Sequence, residues 1–264
     1  MSDLLVPEAT GRRAFMRGAG LAAAGLVASA LLIPGRAEAA IPSAIPGTGD
    51  IQVLNYALAL EDLEADLYVQ AILRLTGGGV DPQAASTVGT IVGLNVNGID
   101  VQYIQKFAPV EAAHRDFLKT ALGSAAITTL KPAKYDFGIQ NMTRQQVVEL
   151  VLEAEATGVQ AYLGAIPSFT AKSPYLQTAA AIQGTEARHT SILTIVRNLL
   201  SVQGVFSDPI APAAPLKGDP GTTPTANSYD NSRPNTGTPE ARDLAIAPDQ
   251  VLARVGPFIK YQTA

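Results

Sequence analysis

Apolar residues recur at intervals of three and four in four separate stretches of this chain, the period of helices that each bury one face. The first helix is expected from Asp50 to about Leu75, with Leu54, Leu58, Glu61, Ala65, Tyr68 and Ile72 in line, and Gly77-Gly78-Gly79 stops it. A loop rich in Gly, Ser and Asn follows, with a helical turn expected around 82–92. The stretch Gly93-Leu94-Asn95-Val96-Asn97-Gly98 delays the second helix, whose face holds Ile104, Phe107, Glu111, His114, Leu118 and Leu122 before Gly123 closes it. Thr143 with Gln146 three residues on has the capping-box spacing and opens the third. That helix carries Val148, Leu152, Glu155, Val159, Tyr162 and Ile166, and breaks at Pro167. Ser173-Pro174 reads as an N-cap followed by proline at the first helical position. Ile182, Glu186, His189, Leu193, Val196 and Leu200 then share the fourth face. No alternating strand pattern lies among these segments, so the expected fold is all-α, a four-helix bundle over residues 50–200.

The ends of the chain read differently. Residues 1–39 have the three parts of an export signal: a charged start with Arg12-Arg13-Ala14-Phe15-Met16-Arg17, an apolar run from Leu21 to Ile33, and the small-residue site Ala37-Glu38-Ala39. The apolar run is shorter than the roughly 20 residues a spanning helix needs, so no stable membrane span is expected after cleavage; an uncleaved anchor is the alternative. The arginine pair resembles a twin-arginine signal, with Gly11 where that family has Ser or Thr. The resemblance implies Tat export of an already folded protein to the periplasm or the extracellular space. Residues 40–49 form a Pro/Ser/Gly linker. Residues 201–264 read as a long, irregular Pro/Gly-rich tail, with one short helix from Pro248 to Val255 and Phe258 and Ile259 as docking residues.

Composition narrows the chemistry. The chain has 264 residues, 47% of them hydrophobic, no cysteine, two histidines and a formal net charge of −4. Disulfides, thiolate metal sites and thiol nucleophiles are excluded. No Lys/Arg cluster exists to neutralise phosphates, so nucleic acid is not an expected partner. With two histidines, any metal site within one chain must be mostly carboxylate.

The inward faces contain that carboxylate. Each is apolar except at Glu61, at Glu111 with His114, at Glu155, and at Glu186 with His189. A carboxylate among Leu, Ile and Val costs several kcal/mol unless paired or metal-bound. Four glutamates balance two divalent ions, and neutral imidazoles complete the shell. A Glu-x-x-His pair puts both groups on one side of a helix. The chain has ten glutamates, so finding Glu three positions before both histidines by chance is about one in 700. The bland alternative, two exposed charge pairs, would place their apolar neighbours in water. Glu61 precedes Tyr68, and Glu155 precedes Tyr162, by the same spacing. Phe117-Leu118 and Ile192-Leu193 also correspond, so the order is a two-fold internal repeat. Tyr68 and Tyr162 are expected to donate to the carboxylates, supporting the ligands from behind. Glu64, one turn from Glu61, is a substitute ligand or a supporting acceptor, with Glu61 preferred from the Tyr68 spacing. Glu153 is expected on the polar side. Without metal, all four carboxyls are expected to have raised pKa values.

These residues resemble the ferritin-like superfamily of di-iron and di-manganese carboxylate proteins, in the ligand order of bacterioferritin and rubrerythrin. Leu54-Asn55-Tyr56-Ala57-Leu58 with Leu60-Glu61-Asp62-Leu63-Glu64-Ala65, Gly158-Val159-Gln160-Ala161-Tyr162-Leu163-Gly164-Ala165, and the ending Pro248-Asp249-Gln250-Val251-Leu252-Ala253 with Pro257-Phe258-Ile259 are similar to desiccation-related proteins. The resemblance implies a ferritin-like four-helix bundle and carries metal ligation to Glu61, Glu111, His114, Glu155, Glu186 and His189. It implies two Fe or Mn ions and, in stress protection, oxygen or peroxide as the small-molecule substrate of an oxidase- or catalase-like centre. A non-enzymatic envelope or desiccation scaffold that binds through its bundle and tail is the alternative. Homo-oligomer formation stays open.

Overall fold

The computed structural model describes residues 41–80, 87–127, 134–207 and 246–260. The signal-like segment and most of the tail lie outside them. Four long helices follow the periodic stretches: α1 (Asp50–Ile72), α2 (Ile99–Leu122), α3 (Arg144–Ala165) and α4 (Leu176–Val202). α1 packs along α2 and α3 along α4, and the two pairs meet through α1 on α3 and α2 on α4. α1 is buried around most of its circumference, from Val53 to Ala71, as befits the central element of a bundle. No described helix is long and apolar enough to cross a membrane.

Local chemistry sets the ends. Thr143 and Gln146 form the expected capping box: the Gln146 backbone N–H donates to Thr143 Oγ1 at 3.3 Å, and the Thr143 N–H donates to Gln146 Oε1 at 2.8 Å. α1 ends through a π-helical turn, Leu73–Gly77, at Gly78, whose φ of 64° suits glycine. α4 begins later than its Ser-Pro signal. Ser173 Oγ accepts from the Tyr175 N–H at 3.2 Å, capping a turn, and the helical ladder starts only with the Ala179 N–H to the Tyr175 carbonyl.

Two expectations are corrected. The helical turn around 82–92 is not formed at 87–88: Thr87–Val88 pairs antiparallel with Gly79–Val80, so β1 and β2 make a small ladder, while 81–86 lies outside the described residues. The tail does not begin at 201, because α4 runs to Val202 and Phe206 folds back into the core. The last described segment docks as expected. α5 (Pro248–Val255) lies on α3, Phe258 packs against Phe137, and Ile259–Lys260 pairs as β4 with β3 (Lys134–Tyr135). The linker is also packed, with Ile41 and Ile45 buried and the Gln52 side-chain amide donating to the Ile45 carbonyl at 3.1 Å.

Candidate metal centre

One residue or pair from each helix meets at the centre of the bundle. Glu61 comes from α1, Glu111 and His114 from α2, Glu155 from α3, and Glu186 and His189 from α4. All but His114 are buried. Glu111 lies between the imidazoles: its Oε2 is 2.9 Å from His114 Nδ1 and its Oε1 is 2.8 Å from His189 Nδ1. His114 Nδ1 also lies 3.4 Å from Glu61 and 3.6 Å from Glu186. His189 Nδ1 lies 3.1 Å from Glu155, and its ring stacks on Phe107 with centroids 3.8 Å apart. Two ligand-like groups result: Glu61, Glu111, Glu186 and His114; and Glu111, Glu155 and His189.

The tyrosines cross between the halves. Tyr162 on α3 donates to Glu61 on α1 at 2.7 Å, and Tyr68 on α1 donates to Glu155 on α3. Glu64 is buried and forms a third group with Glu155 and Glu186. Glu153 is half-buried and stands outside all three groups.

The electrostatics correct one expectation. Burial raises Glu61, Glu155, Glu64 and Glu186, the last two well above the usual carboxyl range. Glu111 does not follow. Burial pushes it up, but hydrogen bonds from His114 and His189 outweigh that and hold it below its ordinary value. Burial works against the imidazolium forms, yet bonds to Glu111 and its neighbours raise His114 to about 10 and His189 to about 9. With protein groups alone, the histidines carry the positive charge that offsets the carboxylates.

The donor set fits divalent cations. Glu61 Oε2, Glu155 Oε2 and both oxygens of Glu186 are buried without hydrogen-bond partners. Such orphaned acceptors cost free energy unless something positive satisfies them. The glutamates and histidines singled out in the sequence are therefore brought together. Thr157 and Gly158 on α3 receive no role from the sequence, although Gly158 opens one of the motifs that carry the family resemblance.

A family model described as ferritin-like domain matches residues 49–199. No curated protein and no solved structure matches the chain.

Proposed function

The chain belongs to the ferritin-like domain family, and from that premise we propose that its buried cluster holds two metal ions, iron or manganese, and reacts with oxygen or peroxide. The observation that carries this reading is Glu111, with one carboxylate oxygen toward each imidazole. Glu61 and His114 would hold one ion, Glu155 and His189 the other, with Glu111 and Glu186 shared between them. Four carboxylates against two divalent ions leave no net buried charge. An oxygen-rich set with two imidazoles suits iron or manganese better than copper or zinc. The bound ions would supply redox chemistry. The protein's part is to keep the ligands dry, fix them through Tyr68 and Tyr162, and hold Glu111 between the halves.

We further propose a role in stress protection outside the cytoplasm, supported by the signal-like residues 1–39. Replacing Arg12 and Arg13 by Lys should retain the precursor in the cytoplasm; normal export in fractionation would overturn the twin-arginine reading. The metal reading is tested by mass spectrometry under native conditions after reconstitution with Fe or Mn. Two ions per chain are expected, and none would sink it. A near-ultraviolet band in the iron-loaded protein separates a redox centre from an empty scaffold.

A further inference from the structure

The sequence separation that relates Glu61 to Glu155 and Tyr68 to Tyr162 also relates Leu60 to Ala154, Leu63 to Thr157 and Glu64 to Gly158. All six members of these last pairs line one cavity of about 30 Å³ between α1 and α3. The cavity thus lies where the two halves of the repeat face each other. In every pair the bulkier residue is on α1 and the smaller on α3. That inequality makes the room. Val255 and Phe258 of the C-terminal segment close the outer side.

Only two side chains on this wall are polar, Glu64 and Thr157. Glu64 Oε1 and Thr157 Oγ1 are both buried without hydrogen-bond partners, and an orphaned buried polar group costs free energy unless a ligand satisfies it. At Gly158 the wall thins to the carboxylate cluster itself. A Cβ there would stand 2.6 Å from Glu186 Oε2, so glycine is what lets the cavity abut that oxygen.

We infer that this cavity is a docking site for one small uncharged molecule bearing two O–H groups, hydrogen peroxide in size and chemistry, held by Glu64 and Thr157 next to Glu186. A water-sized sphere needs about 10–15 Å³, so the volume of about 30 Å³ admits two oxygens and little more. The apolar remainder of the wall excludes ions, which would lose their hydration on entry. Dioxygen fits by size but leaves both orphaned oxygens unsatisfied; a molecule with O–H groups on each oxygen satisfies them. The consequence for reactivity rests on the reading of the cluster as a redox metal centre, whereas the binding does not.

The test uses the full protein and hydrogen peroxide as the probe. Metal-free crystals soaked in peroxide should show two-oxygen density between Glu64 and Thr157, and Thr157→Val, which keeps the shape but not the hydroxyl, should lose it. Water alone or density elsewhere in the wild type overturns the site. In the iron-loaded protein, Ala154→Leu narrows the cavity without replacing a ligand-type residue. It should keep two ions per chain while slowing peroxide-driven oxidation by about tenfold. An unchanged rate with two ions bound overturns the inference. A wild type that takes up no ions defeats the metal reading instead, and the soaked crystals still decide the docking site.

Discussion

Tyr162 on α3 donates its hydroxyl proton to Glu61 on α1 at 2.7 Å, and the reverse bond runs from Tyr68 on α1 to Glu155 on α3. Each half of the internal repeat therefore steadies the carboxylate of the other. The bonds leave Glu61 Oε2 and Glu155 Oε2 without partners, so each tyrosine occupies one oxygen and the other remains available to a cation.

Tyr162→Phe should consequently act on one half of the centre. Loss of the buried bond should cost about 1 kcal/mol of stability and weaken binding beside His114 by about 10–100-fold. Tyr68→Phe should do the same beside His189. Stepwise metal titration followed by native mass spectrometry reads this. Each variant should weaken one step of two, and a variant that weakens neither would remove the supporting role of the tyrosines.

Glu111 and Glu186 should respond in opposite directions when neutralised in metal-free protein. Glu111 accepts from His114, lies 2.8 Å from His189 Nδ1, and sits below its ordinary pKa. Glu111→Gln breaks buried charged bonds and should destabilise by roughly 3–5 kcal/mol. Glu186 is raised, first by burial and then by its carboxylate neighbours. Glu186→Gln removes a group that must already take up a proton, so stability should rise or stay within about 1 kcal/mol. Both variants should lose most of the metal-induced gain in Tm. Urea melts for the free-energy difference and thermal melts with and without Mn for Tm check the contrast, and equal destabilisation of the two would refute the assignment of charge to Glu111.

How much of this was legible beforehand divides along a physical line. Helix faces and the six converging ligand-type residues follow from local periodicity, which survives folding, and Thr143 and Gln146 cap α3 as their spacing dictates, whereas the Ser173-Pro174 signal caps only a turn ahead of α4. The unequal electrostatics of Glu111 did not follow. They depend on which of four similar carboxylates ends up between the two imidazoles, a matter of three-dimensional packing. The strand at Thr87–Val88 was equally hidden, since a strand of two residues is too short to show an alternating period. Gly158 lay in a motif already singled out, yet its closeness to Glu186 is a contact between helices.

The histidines set the pH dependence. Folding raises His114 from 6.5 to about 10 and His189 from 6.5 to about 9; burial opposes the rise, and hydrogen bonds to Glu111 and its neighbours outweigh it. A folded pKa above the unfolded value stabilises fully below about 6.5, and that contribution is lost as pH climbs through about 9 to 10. Metal-free protein should therefore lose Tm across this window. Metal binding has the opposite slope, because a ligating imidazole must first give up its proton. Titration calorimetry at pH 7 in buffers of different ionisation enthalpy should show net proton release on Mn binding. Release near zero would mean the imidazoles are already neutral.

Docking of the C-terminal segment can be tested through one glycine. Ile246 donates its backbone N–H to the Gln160 carbonyl at 3.3 Å, laying the chain across α3. A Cβ at Gly164 would collide with the Ile246 carbonyl. Backbone cannot rotate out of the way as a side chain can, so Gly164→Ala must lift the segment or bend the helix, at a cost of roughly 1–3 kcal/mol. Gly184, inside α4, has nothing near its missing Cβ. There alanine only removes the helical penalty of glycine and should stabilise by about 0.5–1 kcal/mol. Thermal melts of the pair separate contact from propensity. Hydrogen exchange should rise at 246–258 in Gly164→Ala alone; if both variants stabilise and that protection is unchanged, the segment does not rest on α3 in solution.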